Sequence, residues 1–198
     1  MKYLIILAVA LVGFTSAQLY DRPCRLEEVS PRVKTSFQVV AYLGVWYEIE
    51  RYEAANQTDF DCVEARYALN EDGSVQVINS GFAPGGIRIE FTGRATLAFP
   101  DQVPLPAKLD VSFVEGQPTT IYWGLSTDYI NYATVWSCTD LPDSQSREQF
   151  WVLSRTPAVS GPTRTRINEI IALNAINPAS IRTTNQDLSF CQNSPAQI

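Results

Sequence analysis

The 198-residue chain contains no histidine, and its one methionine is Met1. Without histidine there can be no Ser-His-Asp or Cys-His nucleophile, and imidazole ligation of zinc or haem is excluded. Basic runs are missing as well. Fifteen Lys and Arg face 21 Asp and Glu, a formal net charge of −6, which argues against nucleic acid and against anionic membranes as partners. Beyond the first residues no apolar stretch is long enough to cross a bilayer, so no transmembrane segment is expected. Gly124-Leu125-Ser126-Thr127-Asp128 lacks the second glycine of a nucleophile elbow. Asp59, Asp61 and Glu64 cluster, but a calcium loop needs more oxygen ligands, so they read as a solvated acidic patch. No catalytic residue, metal ligand or required cofactor is expected, and the chain does not read as an enzyme.

What is present begins with a targeting segment. Lys2, the apolar residues 3–14 and the small residues Thr15-Ser16-Ala17 read as a signal peptide cleaved after Ala17. Removing it takes the net charge from −6 to −7. The remaining residues, 18–198, are an ordinary length for one domain with a sizeable core. Export makes Cys24, Cys62, Cys138 and Cys191 candidates for two disulfides. Four cysteines allow three pairings, and spacing does not choose among them. Each long loop so closed would contribute roughly 3–5 kcal/mol on chain-entropy grounds. Asn56-Gln57-Thr58 is a glycosylation sequon in a polar stretch.

Between residues 42 and 155 the chain reads as eight short strands, at 42–52, 62–69, 74–80, 87–97, 107–114, 120–127, 131–138 and 149–155. They are rich in Val, Ile, Tyr, Phe, Trp and Thr and are bounded by turn residues such as Asp72-Gly73 and Pro84-Gly85-Gly86. Consecutive strands at this interval predict an all-β fold, an antiparallel up-and-down barrel that closes without exposed edges. Residues 99–106 make an unusually long, proline-rich connection. Period-two alternation assigns faces. Val63, Ala65, Tyr67 and Leu69 share one face, as do Leu109, Val111 and Phe113, and Trp151, Leu153 and Arg155. The inward set is apolar and strongly aromatic, and Tyr67, Tyr122 and Trp151 carry polar tips that a ligand could satisfy. Ser160-Gly161-Pro162 opens one C-terminal α-helix, with Ile167, Ile170, Ile171 and Leu173 at helical spacing and an end near Asn174. That helix is expected outside the barrel, followed by a short strand at 181–185.

Three blocks stand in fixed order: Gly44-Val45-Trp46-Tyr47-Glu48, Thr127-Asp128-Tyr129-Ile130-Asn131-Tyr132, and Arg155 after the apolar residues 150–154. This pattern resembles the lipocalins, and the longer stretches 42–50 and 122–133 are similar to the apolipoprotein D-like, Lazarillo and bilin-binding branch of that family. The resemblance implies a secreted cup for a small lipophilic molecule: a sterol or other isoprenoid, a fatty acid, a retinoid or a bilin. It implies the pairings Cys24–Cys138 and Cys62–Cys191. It implies that Gly44, Trp46, Thr127, Asp128, Tyr129 and Arg155 close one end of the barrel, with Arg155 stacked on Trp46. It assigns the ligand to Tyr42, Tyr67, Phe113, Tyr122 and Trp151; parity independently turns Tyr67, Phe113 and Trp151 inward.

The mouth would be formed by residues 53–61, 81–86, 115–119 and 139–148. These loops set ligand choice and offer contact with a cell-surface receptor or a membrane. Phe60 and Phe82 fall in them as exposed aromatics. The chain departs from its relatives in two places. Apart from Met1, in the expected signal segment, it has no methionine for the peroxide reduction proposed for apolipoprotein D, and Asp140 stands where that relative carries an extra cysteine. A second reading is a secreted protein-interaction module, with a filled barrel and binding through the mouth loops.

Overall fold

The computed structural model describes residues 17–52 and 60–193. The expected signal segment, apart from Ala17, and the sequon at Asn56 lie outside the described residues. Ten strands form: β1 Gln18–Tyr20, β2 Gly44–Tyr52, β3 Asp61–Leu69, β4 Val75–Ala83, β5 Ile87–Leu97, β6 Lys108–Ser112, β7 Thr120–Thr127, β8 Tyr132–Asp140, β9 Ser146–Ser154 and β10 Ile181–Thr183. From β2 to β9 each strand pairs antiparallel with the next, and β9 returns to β2 through Tyr47↔Ser154, Glu48↔Leu153 and Arg51↔Trp151. The result is a closed eight-stranded up-and-down barrel. β1 adds to the far end of β9, and β10 lies along the upper part of β2.

The alternation in the sequence is the cause of the two faces. On β3, Val63, Ala65 and Tyr67 are buried while Arg66 and Ala68 are exposed. Leu69 departs from its expected place: it is 50 % exposed, because the strand ends there in the turn Asn70–Ser74. In that turn Gly73 takes a left-handed backbone, which a residue without Cβ adopts freely. Asp72 accepts from the Ser74 hydroxyl and amide and pairs with Arg94, which holds its carboxyl down at about 2.

β8 and β9 are buried on both sides, since the helix Gly161–Leu173 packs against β8 from outside. Its Ile167, Ile170 and Ile171 are buried, whereas Leu173 is exposed past the packed stripe. Trp136 faces Phe150 across β8 and β9 on this outer side, and Tyr52 joins them with its ring 5.9 Å from that of Phe150. A buried carboxylate, Glu148, completes the layer. It accepts from Arg25 at 2.9 and 3.0 Å and from the Trp136 indole at 3.1 Å, with Arg22 3.2 Å away.

Both tails are tied to the barrel by disulfides, Cys24–Cys138 and Cys62–Cys191. The N-terminal segment then crosses one end of the barrel, where Lys34 donates its amide to Gly124, Ala107 to Lys34, and Phe37 to Leu105. The long connection 99–106 is thereby used: it is the surface on which this segment rests. At the other end of the molecule the C-terminal segment lies where β2 and β3 diverge. Thr184 donates its amide to the Ile49 carbonyl, Cys62 donates to Asn185, and the Gln186 amide bridges the carbonyls of Glu48 and Val63.

Candidate ligand cavity

The crossing segment closes the barrel through the three sequence blocks. Trp46 is fully buried and donates its indole N–H to the Tyr42 carbonyl at 2.8 Å. The Arg155 guanidinium lies 3.8 Å above the Trp46 ring, an attraction worth about 0.5–2 kcal/mol. It also donates to the carbonyls of Tyr129, Val45 and Ala41, at 3.1, 2.8 and 3.1 Å. Gly44 has a left-handed backbone, and a Cβ there would stand 3.3 Å from the Arg155 Nη1. The left-handed backbone, at φ +93°, is the physical reason for glycine at the head of β2, and the nearby guanidinium adds to it. Asp128 accepts from the amides of Ile130, Asn131 and Tyr132 and from the Asn131 side chain. Burial alone would raise its carboxyl, but these hydrogen bonds keep it below the ordinary carboxylate value. Thr127 binds both ends of the same turn, and Tyr129 accepts from the Gln38 amide.

Above this plug lies an apolar chamber of about 80 Å³. Tyr42, Tyr67, Phe113, Tyr122 and Trp151 all line it, beside aliphatic side chains such as Val77 and Leu109. The five residues therefore meet in one place, although they come from five different segments of the chain. Phe113 is the outermost, 40 % exposed, and its ring rests on β5 where Gly93 leaves the space: a Cβ at Gly93 would come within 2.6 Å of that ring.

The tyrosines are joined by their hydroxyls. Tyr122 lies 2.9 Å from Tyr42 and 2.9 Å from Tyr67, so three O–H groups make two links. Burial raises all three phenols, Tyr67 to about 12 and Tyr42 and Tyr122 well above their usual value. They are neutral donors at any physiological pH.

A second chamber of about 50 Å³ lies toward the mouth and shares Tyr67, Tyr122 and Trp151 with the first. Its other lining residues include Glu48, Val63, Asn79 and Leu153. Here the sequence reading missed something. The inward face carries a buried ion pair, Glu48 with Arg51, and Thr184 from the C-terminal segment donates to the same carboxylate oxygen. Strict alternation from Trp46 turns Glu48 and Glu50 inward and Arg51 outward. A bulge between Glu48 and Glu50 shifts the register by one residue and brings Arg51 inside.

The two loop aromatics also need correction, because Phe60 and Phe82 are buried. β4 runs on to Ala83, past the expected end at 80, which takes Phe82 into the sheet. The Phe60 carbonyl accepts from Arg51 and Arg182, which draws that residue against the wall. Among the described residues no group of three or more Cys, Asp or Glu could hold a metal ion. Asp61 of the acidic cluster instead accepts from Arg182 and the Asn185 amide.

A family model described as a lipocalin-like domain matches residues 37–186. Apolipoprotein D of Mus musculus is 38 % identical over 157 residues, covering 79 % of this chain and 81 % of its own. The Lazarillo protein of Schistocerca americana is 29 % identical over 157 residues, 78 % of this chain and 72 % of its own. The solved structure of insecticyanin from the tobacco hornworm Manduca sexta superposes with a TM-score of 0.73 at 24 % identity, over 88 % of this chain and 92 % of that one. This last is a likeness of fold.

Proposed function

This chain belongs to the lipocalin family, and on that premise we propose that it is a secreted carrier that takes one small lipophilic molecule into its barrel. The observation that carries the reading is the chamber itself, an apolar hollow walled by Tyr42, Tyr67, Phe113, Tyr122 and Trp151. Each 100 Å² of apolar ligand surface covered there contributes about 2.5 kcal/mol. Displacement of the shared side chains Tyr122 or Trp151 would join the two chambers and admit a longer molecule. Sterols and other isoprenoids, retinoids, fatty acids and bilins are the classes such a chamber would take. The part played by the chain is binding and transport, with no catalytic step.

Export through residues 1–17 and a glycan at Asn56 belong to the same proposal, supported by the apolar leader pattern and by two disulfides of the kind an oxidising compartment favours. The mouth loops, including 115–119 and 141–145, are where a receptor or membrane would be met.

The test is titration of the folded, delipidated protein with biliverdin, retinoic acid, progesterone and arachidonic acid, read by tryptophan fluorescence. Trp151 lines the chamber, so saturable one-to-one quenching by at least one ligand is expected, weakened by Phe113→Ala. No saturable response to any of the four overturns the carrier reading and shifts the weight to protein recognition by the mouth loops.

A further inference from the structure

The smaller chamber has a chemical polarity that the larger one lacks. Glu48 is 5 % exposed and lines it. One of its oxygens, Oε1, accepts from both Arg51 and Thr184, at 2.5 and 2.6 Å. Neither of these bonds uses the other oxygen, Oε2. Arg51 does not line the chamber; its remaining contacts go to Thr184 and the Phe60 carbonyl. The hollow is therefore met by the carboxylate and not by its counter-ion. Asn79, on β4, lines the same chamber, and its buried Oδ1 is without a partner among the described residues. The Glu48 carboxylate and the Asn79 amide thus line one small space, whose other walls are Glu64, Tyr67 and Tyr122 with the apolar Val63, Ala65, Trp151 and Leu153. The Tyr122 hydroxyl is already engaged with those of Tyr42 and Tyr67.

Buried acceptors left unsatisfied are costly, and they are satisfied by a ligand that brings donors. A ligand that brings a second carboxylate instead adds like-charge repulsion in a poorly solvated place. We propose that Glu48 selects the polar end of the ligand: the barrel prefers lipophiles ending in an O–H or N–H donor over those ending in a carbonyl, and over carboxylates most of all. An alcohol or the pyrrole and lactam N–H groups of a bilin meet this requirement. The inference rests on the carrier reading and deepens it by assigning the ligand's orientation, with the apolar body toward Tyr42 and the donor toward Glu48. A purely structural Glu48, present only to hold Arg51 and the C-terminal segment, would leave no mark on ligand selectivity.

Retinol, retinal and retinoic acid share one skeleton and differ at the end that matters. Titrated against the folded, delipidated full mature chain, retinol is expected to bind at least tenfold more tightly than retinoic acid, with retinal between. Glu48→Gln retains the acceptor but removes the charge, and it should shrink the retinol-to-retinoic acid ratio about tenfold. Retinal or retinoic acid bound as tightly as retinol by the wild-type protein overturns the proposal, and so does failure to bind any retinoid. The carrier reading itself falls only if biliverdin, progesterone and arachidonic acid fail as well. Should Glu48→Gln not fold, the wild-type series decides alone.

Discussion

Phe150 and Trp151 are neighbours on β9 and face opposite sides of one wall. Phe150 is fully buried against Tyr52, in the layer that Trp136, Val152 and the helix residue Ile167 complete without exposure. Trp151 is only half-buried and borders both hollows. The outer layer is closed to solvent, whereas the inner one leaves two hollows between its side chains. One sheet therefore carries two kinds of hydrophobic surface, and the difference separates what stabilises the fold from what is left for a ligand. A barrel whose inside were packed as its outside is would be more stable and would carry nothing.

The largest expected effect tests that division directly. Phe150→Ala should cost about 3–5 kcal/mol by urea or thermal unfolding, the usual range for deleting a fully buried ring. Ligand stoichiometry in the folded fraction should be unchanged. Trp151→Phe should cost less than about 1.5 kcal/mol yet weaken binding and remove most of the ligand-induced quenching. Equal losses of stability from the two would break the comparison.

The two buried carboxylates sharpen it. Glu148, on the outer face, is shared by Arg25, Arg22 and Trp136. Glu148→Gln should lose about 3–5 kcal/mol, since removing one partner of a buried pair strands the others. Glu48→Gln should cost about half as much, because Arg51 retains the Phe60 carbonyl and Thr184. Equilibrium unfolding of both variants in the same denaturant gives the ratio. At the closed end, Arg155→Lys keeps a cation near Trp46 but loses the planar fork that reaches several carbonyls, and about 2 kcal/mol should be lost with ligand affinity little changed.

The same contrast explains what the sequence could and could not reveal. The strands were legible because Val63, Ala65 and Tyr67 alternate with polar partners and Asp72-Gly73 breaks the chain in the expected place. Tyr67, Phe113 and Trp151 could be turned toward the chamber by parity alone, since Tyr67 and Trp151 lie within unbroken ladders and Phe113 follows directly on β6. Tyr42 and Tyr122 came from family resemblance, because Tyr42 sits in a short helical turn, Val39–Tyr42, ahead of the strand that was expected to include it. Parity fails where the ladder slips. The bulge at Glu48/Glu50 turned Arg51 inward, and nothing in the local composition marks it. β1, with three residues, is too short to show a period, and its place on β9 depends on neighbours distant in sequence. The partnership of Thr184 with Glu48 spans 136 residues and is fixed by the path of the C-terminal segment, so no window along the chain could contain it.

The smallest effect belongs to the hydroxyl chain on the inner face. Tyr67→Phe removes one O–H and its link to Tyr122, and about 1 kcal/mol should be lost at neutral pH. The more telling change is alkaline. Burial raises the Tyr67 phenol from 10 to about 12, so folding favours the protonated form. The associated stability is fully present below pH 10 and is lost as pH rises from 10 through 12. Unfolding free energy of the wild-type protein should therefore decline across that window, and in Tyr67→Phe the decline should be shallower, while Tyr42 and Tyr122 continue to favour the protonated fold. Denaturant titrations at pH 9, 10.5 and 11.5 on both proteins measure the two slopes. Parallel slopes would mean that the Tyr67 hydroxyl is reached by water in the unliganded barrel, and the inner face would then be a wetter surface than its apolar lining suggests.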